Sequence, residues 1–419
     1  MQQRVTTDEF RSGSERLSSF PEVSPRRYRL AAIFHRPHPY FCKFFQRVAA
    51  HPEIDLTVYF YSDLGAGSTF DPGYQRSVQW DADILSGFRH RFPRNWSPWP
   101  ALDRYTGLFH PSLIRELARG YDAILLHGWW GLTSSLVIVT ALLCGIPIIL
   151  HSDKNSIEPP GGWKRRLRNF VFPFLSRRVA AFLAVGQRNA AFYRSLGAAD
   201  QKIFFAPLAV DNSFFEEQAA VLRPRREALR LRYGIPPEAT VILFVGRLVR
   251  EKGLFDLLSA FRRLSDESAH LVLVGDGPER PTIEAQARSH DLKRVHFPGF
   301  QNYSEVPGFY ALADVFVLPS HQENWGAVIN EAMNFALPIV ASDQVGAVAD
   351  LVEGGRNGFV FSAGDVAELA RNLQVLVSQA ELRRHLGEES ARKVKGWNFD
   401  AAVLGLLAAI RAVTQRAVR

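Results

Sequence analysis

Cysteine is scarce in this 419-residue chain, which contains only Cys42 and Cys144. Both stand in apolar surroundings, so we expect reduced packing residues, and neither a disulfide framework nor a zinc site is predicted. No Ser-His-Asp order of a nucleophilic triad stands out. No metal-spaced set of histidines and cysteines stands out either, so no metal site is expected. Residues 1–23 lack the apolar central stretch of a secretory signal, and residues 1–25 are expected to form a disordered leader.

Long uninterrupted apolar runs are also scarce. The segment from Leu132 to Leu150 carries no charge and is about as long as a membrane span. However, Gly145-Ile146-Pro147 interrupts it, and Ile148 to His151 has the character of a strand. We therefore expect a buried helix, a tight turn and a parallel strand.

The net charge of +8 is unevenly distributed. Residues 1–212 hold 26 Lys and Arg against 17 Asp and Glu, whereas residues 213–419 hold 24 against 25. The basic excess therefore belongs to the N-terminal half, which favours acidic partners such as anionic lipids or phosphates. A nucleic-acid partner is not expected, because no recognition module accompanies the charge.

The chain is too long for one ordinary core, so two domains are expected. Short apolar runs alternate with helical stretches in both halves, which predicts an α/β protein with two doubly wound parallel sheets. The boundaries are placed at 26–212 and 213–396. A final helix over 397–419 is expected to pack back on the N-terminal domain. Since ligands collect beyond the carboxyl ends of such strands, the two sheets should face one cleft.

Two cations follow the first strand of the second half. Gly246 permits a sharp turn there, and Arg247 and Lys252 are expected to project into the cleft. Arginine suits bidentate phosphate binding and lysine acts as a point charge, so the pair would neutralise a diphosphate leaving group. The alternative is a basic loop in solvent. Further strand-end groups that could face a nucleotide are Gly275, Gly299 and Phe300.

Two carboxylates, Glu323 and Glu331, stand eight positions apart after the apolar strand Val315 to Leu318. This spacing corresponds to roughly 12 Å at helical rise, which suits a nucleotide diphosphate sugar. Free backbone N–H groups at the helix start between them would hold the diphosphate. The alternative is a solvated helix with two surface glutamates. The donor-binding residues expected in this segment are Asn324, Trp325, Gly326, Ala327 and Glu331.

Histidines close two strands of the N-terminal half. His151 is expected to contact the transferred group, although a structural donor is equally common at such a position. His127 and the tryptophans beside it would line an acceptor pocket or simply pack. On the same side we expect His38, Trp129 and Asp153.

A basic amphipathic stretch covers residues 162–178. Its mixture of cations and large apolar residues suits an anionic membrane surface, and a surface helix with one face in the core is the alternative. Asp81-Ala82-Asp83 has the Asp-x-Asp form that holds a divalent metal in some sugar transferases. No apolar strand leads into it, so we interpret it as incidental.

Together these residues resemble the retaining glycosyltransferases of family 4, which have the GT-B fold with two Rossmann-like domains. The resemblance implies that Arg247 and Lys252 bind the diphosphate, that Glu323 approaches the donor sugar, and that Glu331 binds the ribose hydroxyls. It implies His151 as the sugar-contacting histidine. The matching motifs lie mainly between Gly246 and about Asp365: Gly246-Arg247, Lys252-Gly253, Gly275-Asp276-Gly277-Pro278, the paired glutamates and Pro338 to Ser342.

The chain departs from that family at two places. The Gly-rich loop after the first strand is replaced by His35 to Tyr40, so the acceptor side is expected to be arranged differently. The Asn-Gly that precedes the hinge aspartate Asp211 is replaced by Leu208-Ala209.

The expected activity is metal-independent, retaining transfer of a sugar from a nucleotide diphosphate sugar to an acceptor hydroxyl, with no other cofactor. The expected pathways make polysaccharides, glycolipids or other glycoconjugates. The acceptor is expected to be anionic or lipid-linked, and the location cytoplasmic, peripheral at the inner membrane face. The alternatives are a nucleotide-sugar epimerase, a phosphorylase, or a membrane-surface protein with a relict nucleotide site.

Overall fold

A computed structural model of the protein describes residues 27–71, 74, 76–81, 83–102, 104–155 and 176–417. The expected leader over residues 1–25 and most of the basic stretch over 162–178 lie outside these residues.

Two parallel sheets organise the chain. The N-terminal sheet has the order β5-β2-β1-β6-β7-β8-β9, and the C-terminal sheet has the order β12-β11-β10-β13-β14-β15. The short strands β3 and β4 form a separate antiparallel pair. The strands are β1 Tyr28–Phe34, β2 Ile54–Phe60, β3 Thr69–Asp71, β4 Arg76–Val78, β5 Arg89–Arg91, β6 Ala123–His127, β7 Ile148–Ser152, β8 Ala181–Ala184, β9 Ile203–Phe205, β10 Thr240–Val245, β11 Ala269–Val274, β12 Val295–Gly299, β13 Val315–Leu318, β14 Ile339–Ser342 and β15 Gly358–Phe361.

Helices connect the strands and cover the sheets. They are α1 Pro39–Ala50, α2 Ser112–Leu117, α3 Leu132–Leu143, α4 Gln187–Ser195, α5 Asn212–Leu222, α6 Arg226–Arg232, α7 Leu254–Phe261, α8 Arg280–Ser289, α9 Val306–Leu312, α10 Val328–Asn334, α11 Val348–Leu351, α12 Val366–Ser378, α13 Ala380–Val394 and α14 Phe399–Ala417. Single 3-10 turns cover Asp200–Lys202, Arg223–Arg225 and Arg250–Lys252.

The prediction of two doubly wound sheets is confirmed. These parallel sheets form because their central strands are apolar and are buried on both faces. Every residue of β10, β11 and β13 is buried, as expected for continuous apolar runs in a parallel sheet. The strand order reverses between β1 and β6 in one sheet and between β10 and β13 in the other. A ligand crevice is expected at these two points.

The last helix, α14, returns to the N-terminal domain. It packs against α1, β8 and β9, and its buried residues belong to the same apolar core as β1 and β2. Gly405 allows a close approach, since a Cβ there would lie 1.8 Å from the Phe205 carbonyl oxygen. At the far end, the Arg411 guanidinium contacts both Glu53 oxygens at 2.6 and 2.7 Å. One helix thus ties the end of the chain to its first domain.

One stretch of the described chain, Ala380–Gln415, is long and apolar enough to cross a membrane by length and composition. In the structure it comprises α13 and α14, and 44% of its most apolar window is buried. Because α14 buries its apolar face in the N-terminal core, this finding alone is weak support for a membrane span.

The structure corrects several expectations. Cys42 is buried as expected, but Cys144 is exposed, because it follows the 83% exposed Leu143 at the solvent end of α3. Helix α3 was expected to be buried, but it is only half-buried because its last turn lies in solvent. The polar strand β5 and the hairpin β3–β4 carry no apolar run, and sequence analysis missed them. It also missed α5.

Candidate active site

Three strand ends of the C-terminal sheet meet side by side through glycine. The Gly246 N–H donates to the Val274 carbonyl at 3.0 Å, and the Gly275 N–H donates to the Gly299 carbonyl at 2.9 Å. A Cβ on Gly275 would lie 1.8 Å from the Gly246 carbonyl oxygen, so only glycine permits this approach. The three glycines predicted at the donor side are therefore one continuous rim.

The two predicted cations lie in different environments. Lys252 forms an ion pair with Glu323, and both side chains are largely buried. Arg247 is exposed, and its side chain has no hydrogen bond or ion pair with the described residues. The loop that carries Arg247 and Lys252 is held to the loop that carries Glu323, because the His321 N–H donates to the Glu251 carbonyl at 2.7 Å. Gly253, at φ 66°, passes so close to β13 that a Cβ would lie 2.1 Å from the Pro319 carbonyl oxygen.

The segment between the two glutamates presents free backbone donors. Helix α10 begins at Val328, and the N–H groups of residues 325–328 have no partner among the described residues. The Asn324 side-chain oxygen is buried and also lacks a partner within the described chain. Gly326 turns the loop at φ 90° against Leu318. Trp325 is buried and stacks on Trp397 at 5.8 Å, so its side chain supports the loop from behind.

Glu331 is buried between two tyrosines, with only 4% of its surface exposed. The Tyr40 hydroxyl donates to Oε1 at 2.6 Å and the Tyr310 hydroxyl donates to Oε2 at 2.7 Å. Burial raises the pKa of Glu331 to about 7, although the two hydrogen bonds lower it. Tyr310 belongs to the same domain as Glu331, whereas Tyr40 begins α1 of the N-terminal domain.

A histidine cluster lies across the cleft, at the carboxyl ends of β1, β6 and β7. The Nδ1 atoms of His127 and His151 are 2.8 Å apart, so one ring donates to the other. Burial, followed by the neighbouring His127, holds the pKa of His151 well below its usual range. Burial lowers the pKa of His127 and of His35 to about 4. The cluster is therefore neutral at pH 7, and the Nε2 atom of His151 forms no hydrogen bond with a described group.

The other residues expected on the acceptor side are dispersed. Burial raises the pKa of Asp153, the nearby Glu323 raises it further, and the nearby His35 lowers it. Because Asp153 interacts with a residue from each domain, it lies toward the centre of the cleft. Trp129 stacks on Phe192 at 6.2 Å and packs against an N-terminal core. His38 packs against the rings of Tyr40 and Trp80.

Besides Tyr40, three further side chains, those of Asn155, Asp350 and Asp81, make polar contacts between the domains, and sequence analysis predicted none of these contacts. The Asn155 amide donates to the Glu323 and Asn324 carbonyls at 3.1 and 3.0 Å. Asp350 accepts from the Gln187 N–H at 3.0 Å and so caps α4 from the opposite domain. Their partners are more than 160 residues away in sequence, so no local pattern predicts them.

The third contact involves Asp81, which sequence analysis interpreted as incidental. Its carboxylate accepts from the Ser304 N–H at 3.3 Å and from the Ser304 hydroxyl. Beside it, Tyr74 and Trp80 contact the Phe300 ring with centroids 5.0 and 6.4 Å apart, and Arg76 lies 4.8 Å above that ring. The N-terminal domain thus covers Phe300, which was expected to face the nucleotide. Asp81 is a domain contact, and no group of three or more metal-ligating side chains occurs in the described chain.

Two protein-family models match the chain. One, described as glycosyl transferase 4-like domain, matches residues 23–209, and the other, glycosyl transferases group 1, matches residues 225–393. Together they cover both sheets. The chain belongs to glycosyltransferase family 4. The predicted family is thereby confirmed.

Curated relatives of this family 4 chain carry different activities. The chain is 35% identical over 260 residues to an alpha-D-kanosaminyltransferase of Streptomyces kanamyceticus. The matched region covers 59% of this chain and 66% of the relative. It is 31% identical over 300 residues to the sulfoquinovosyl transferase SQD2 of Arabidopsis thaliana, covering 70% of this chain and 57% of the relative. The chain thus matches somewhat less than two thirds of each relative's length.

Solved structures share the fold of this family member. Anabaena HepE in complex with UDP covers 92% of this chain and 100% of its own, with a TM-score of 0.71 and 17% identity. WaaG, a glycosyltransferase of lipopolysaccharide biosynthesis, has a TM-score of 0.62 at 17% identity over 91% of this chain and 98% of its own. At such identities the likeness shows the GT-B fold alone.

Proposed function

We propose that this chain is a retaining, metal-independent glycosyltransferase that moves a sugar from a nucleotide diphosphate sugar to an acceptor hydroxyl in glycoconjugate biosynthesis. The proposal rests on one arrangement at the point where the strand order reverses. The exposed Arg247 and the Lys252–Glu323 ion pair lie there, beside the backbone N–H groups of residues 325–328, which have no partner among the described residues. Fixed cations and N–H groups are suited to a dianionic leaving group. The fold relative HepE, solved with UDP and with UDP-glucose, supports a uridine nucleotide as the first candidate.

Each part of the donor has proposed partners on the C-terminal side. Arg247 supplies a planar fork for the diphosphate and Lys252 a point charge. Glu323 faces the donor sugar, and Glu331 accepts from the ribose hydroxyls. The backbone of the loop and of the glycine rim completes the donor site, through Gly246, Gly275, Gly299, Asn324, Trp325, Gly326 and Ala327.

The proposed chemistry places departure and attack on the same face of the sugar. Arg247 and Lys252 stabilise the leaving diphosphate as its charge develops, and that face is where the acceptor hydroxyl arrives. His151, kept neutral by burial, contacts the sugar through Nε2 while His127 orients its ring. No step needs a metal ion, because the two cations supply the positive charge at the diphosphate.

The acceptor binds against the N-terminal domain, which carries the histidine cluster and the basic excess. We assign it to an anionic or lipid-linked class, with His127, Trp129, Asp153 and His38 on or behind that side of the cleft. The protein then works in the cytoplasm at the inner membrane face. The activities of the relatives, kanosaminyl and sulfoquinovosyl transfer, are too different to name the sugar.

A nucleotide-sugar screen by thermal shift identifies the donor, because a ligand that binds only the folded state raises the apparent stability. Reactions with that donor alone, with added phosphate and with a panel of hydroxyl acceptors then separate three activities. We expect glycoside formation only with the panel. Conversion of the donor alone would indicate an epimerase, and sugar phosphate formation would indicate a phosphorylase.

A further inference from the structure

The contact between Tyr40 and Glu331 crosses the cleft at the proposed nucleotide site. Tyr40 stands in the first turn of α1, directly after the loop of residues 35–38 that follows β1. Its hydroxyl lies 2.6 Å from Glu331 Oε1, and the two residues are 291 positions apart in sequence. The contact therefore exists only when the two domains are close together.

A tyrosine hydroxyl offers Glu331 the same interaction as a sugar hydroxyl. Both are neutral O–H donors that reach a carboxylate oxygen at about 2.7 Å. Burial and the Glu331 charge raise the pKa of Tyr40 well above its usual range, so the phenol keeps its proton and donates. The two tyrosines thus occupy both carboxylate oxygens on the residue that is proposed to accept from ribose.

The two tyrosines differ in what they can do when a nucleotide arrives. Tyr310 is completely buried in α9 of the same domain as Glu331, so it stays in place. Tyr40 is only half-buried and belongs to the N-terminal domain, so a movement of α1 away from Glu331 would break its contact. The same movement would break the contacts of Asp81 with Ser304 and of Asn155 with the Glu323 carbonyl.

We propose that Tyr40 occupies the ribose position on Glu331 in the empty enzyme, so that the nucleotide binds by displacing this tyrosine. The inference rests on the proposed function, since it assumes that Glu331 receives the ribose. Tyr40 is therefore a residue that sets donor affinity by competing with the donor. Removing its hydroxyl takes a hydrogen bond from the empty state and none from the bound state. The Tyr40→Phe variant should bind nucleotide about tenfold more tightly, which is about 1.4 kcal/mol.

The test is calorimetric titration of UDP, GDP and ADP into the full-length wild type and Tyr40→Phe. The 2′,3′-dideoxy analogue of the nucleotide that binds serves as the probe for the ribose. We expect the tenfold gain for the nucleotide and no gain for its dideoxy analogue, because this analogue has no hydroxyl to place on Glu331 and so leaves Tyr40 on that carboxylate. Thermal unfolding without nucleotide should show that Tyr40→Phe is less stable than wild type. A purely structural role for Tyr40 predicts that loss of stability without tighter binding.

Tyr59→Phe is the matched control, because it removes another buried hydroxyl, which lies 2.9 Å from the Tyr121 hydroxyl in the N-terminal core. It should lower stability and leave nucleotide affinity unchanged. Equal or weaker binding by Tyr40→Phe, or an equal gain with the dideoxy analogue, would overturn the competition while leaving the proposed function intact. If the wild type binds none of the three nucleotides and no nucleotide sugar in the thermal-shift screen stabilises it, both the proposed function and this inference are wrong.

Discussion

The buried carboxyl of Glu331 should give the protein a specific dependence of stability on pH. Its pKa is about 7 in the folded protein, against 4.5 for an unperturbed glutamate, because it is removed from water. The folded state therefore binds a proton that the unfolded state has released between about pH 4.5 and 7. Stability from this group is fully present below pH 4.5 and is lost as the pH rises through 7. At 1.36 kcal/mol per pH unit, the loss amounts to about 3 kcal/mol.

The Glu331→Gln variant isolates this contribution. A glutamine has the same shape, can accept from one tyrosine hydroxyl and donate to the other, and does not titrate. Urea unfolding of both proteins, followed by circular dichroism from pH 4.5 to 8, gives the difference in unfolding free energy at each pH. Other titrating groups, including His35 and His127, act in both proteins and cancel to first order.

We expect wild type to lose about 3 kcal/mol relative to Glu331→Gln across that range, with a slope of at most about 1.4 kcal/mol per pH unit for one proton. A constant difference from pH 4.5 to 8 would contradict the raised pKa of Glu331. It would mean that Glu331 is solvated in solution and that the tyrosine contacts do not bury it.

Two further predictions concern the proposed diphosphate site and the last helix. Lys252→Ala should lower kcat by about 10²-fold or more in steady-state assays with the identified donor, because it removes a charge at the leaving group; near wild-type turnover would contradict its role. Leu406→Ala in α14, whose side chain is completely buried, should lower the unfolding free energy by about 2–5 kcal/mol in urea titrations. Leu404→Ala, 62% exposed on the same helix, is the control and should stay within about 0.5 kcal/mol of wild type, so equal losses would place α14 elsewhere.

The fold was predictable because its signal is local. Runs such as Thr240–Val245 are apolar at every position but the first, and this pattern is typical of a strand covered on both faces. Strand ends then locate functional groups without further information, since all parallel strands present their carboxyl ends at one edge. This reasoning placed Gly246, Gly275 and Gly299 at strand ends, and in the structure these three glycines lie side by side.

Contacts between the domains were not predictable for the same physical reason. The hydroxyl of Tyr40 meets Glu331 only because two separately folded sheets face each other, and no periodicity encodes their relative position. Asp81 illustrates the point, since its short motif has a local interpretation while its partner Ser304 lies 223 residues away. Cys144 shows a second limit of prediction from sequence. Its apolar neighbours indicated burial, but they do not fix which side of a helix faces solvent, and Cys144 is exposed.

The most direct test of the account is the stereochemistry of the product. The donor found by the screen is incubated with an accepted hydroxyl compound, and the new glycosidic bond is assigned by the proton coupling of its anomeric centre. We expect one new linkage with the donor's anomeric configuration and one nucleoside diphosphate released per bond. An inverted linkage would contradict the retaining mechanism, and consumption of the donor without any new glycoside would contradict the transferase assignment itself.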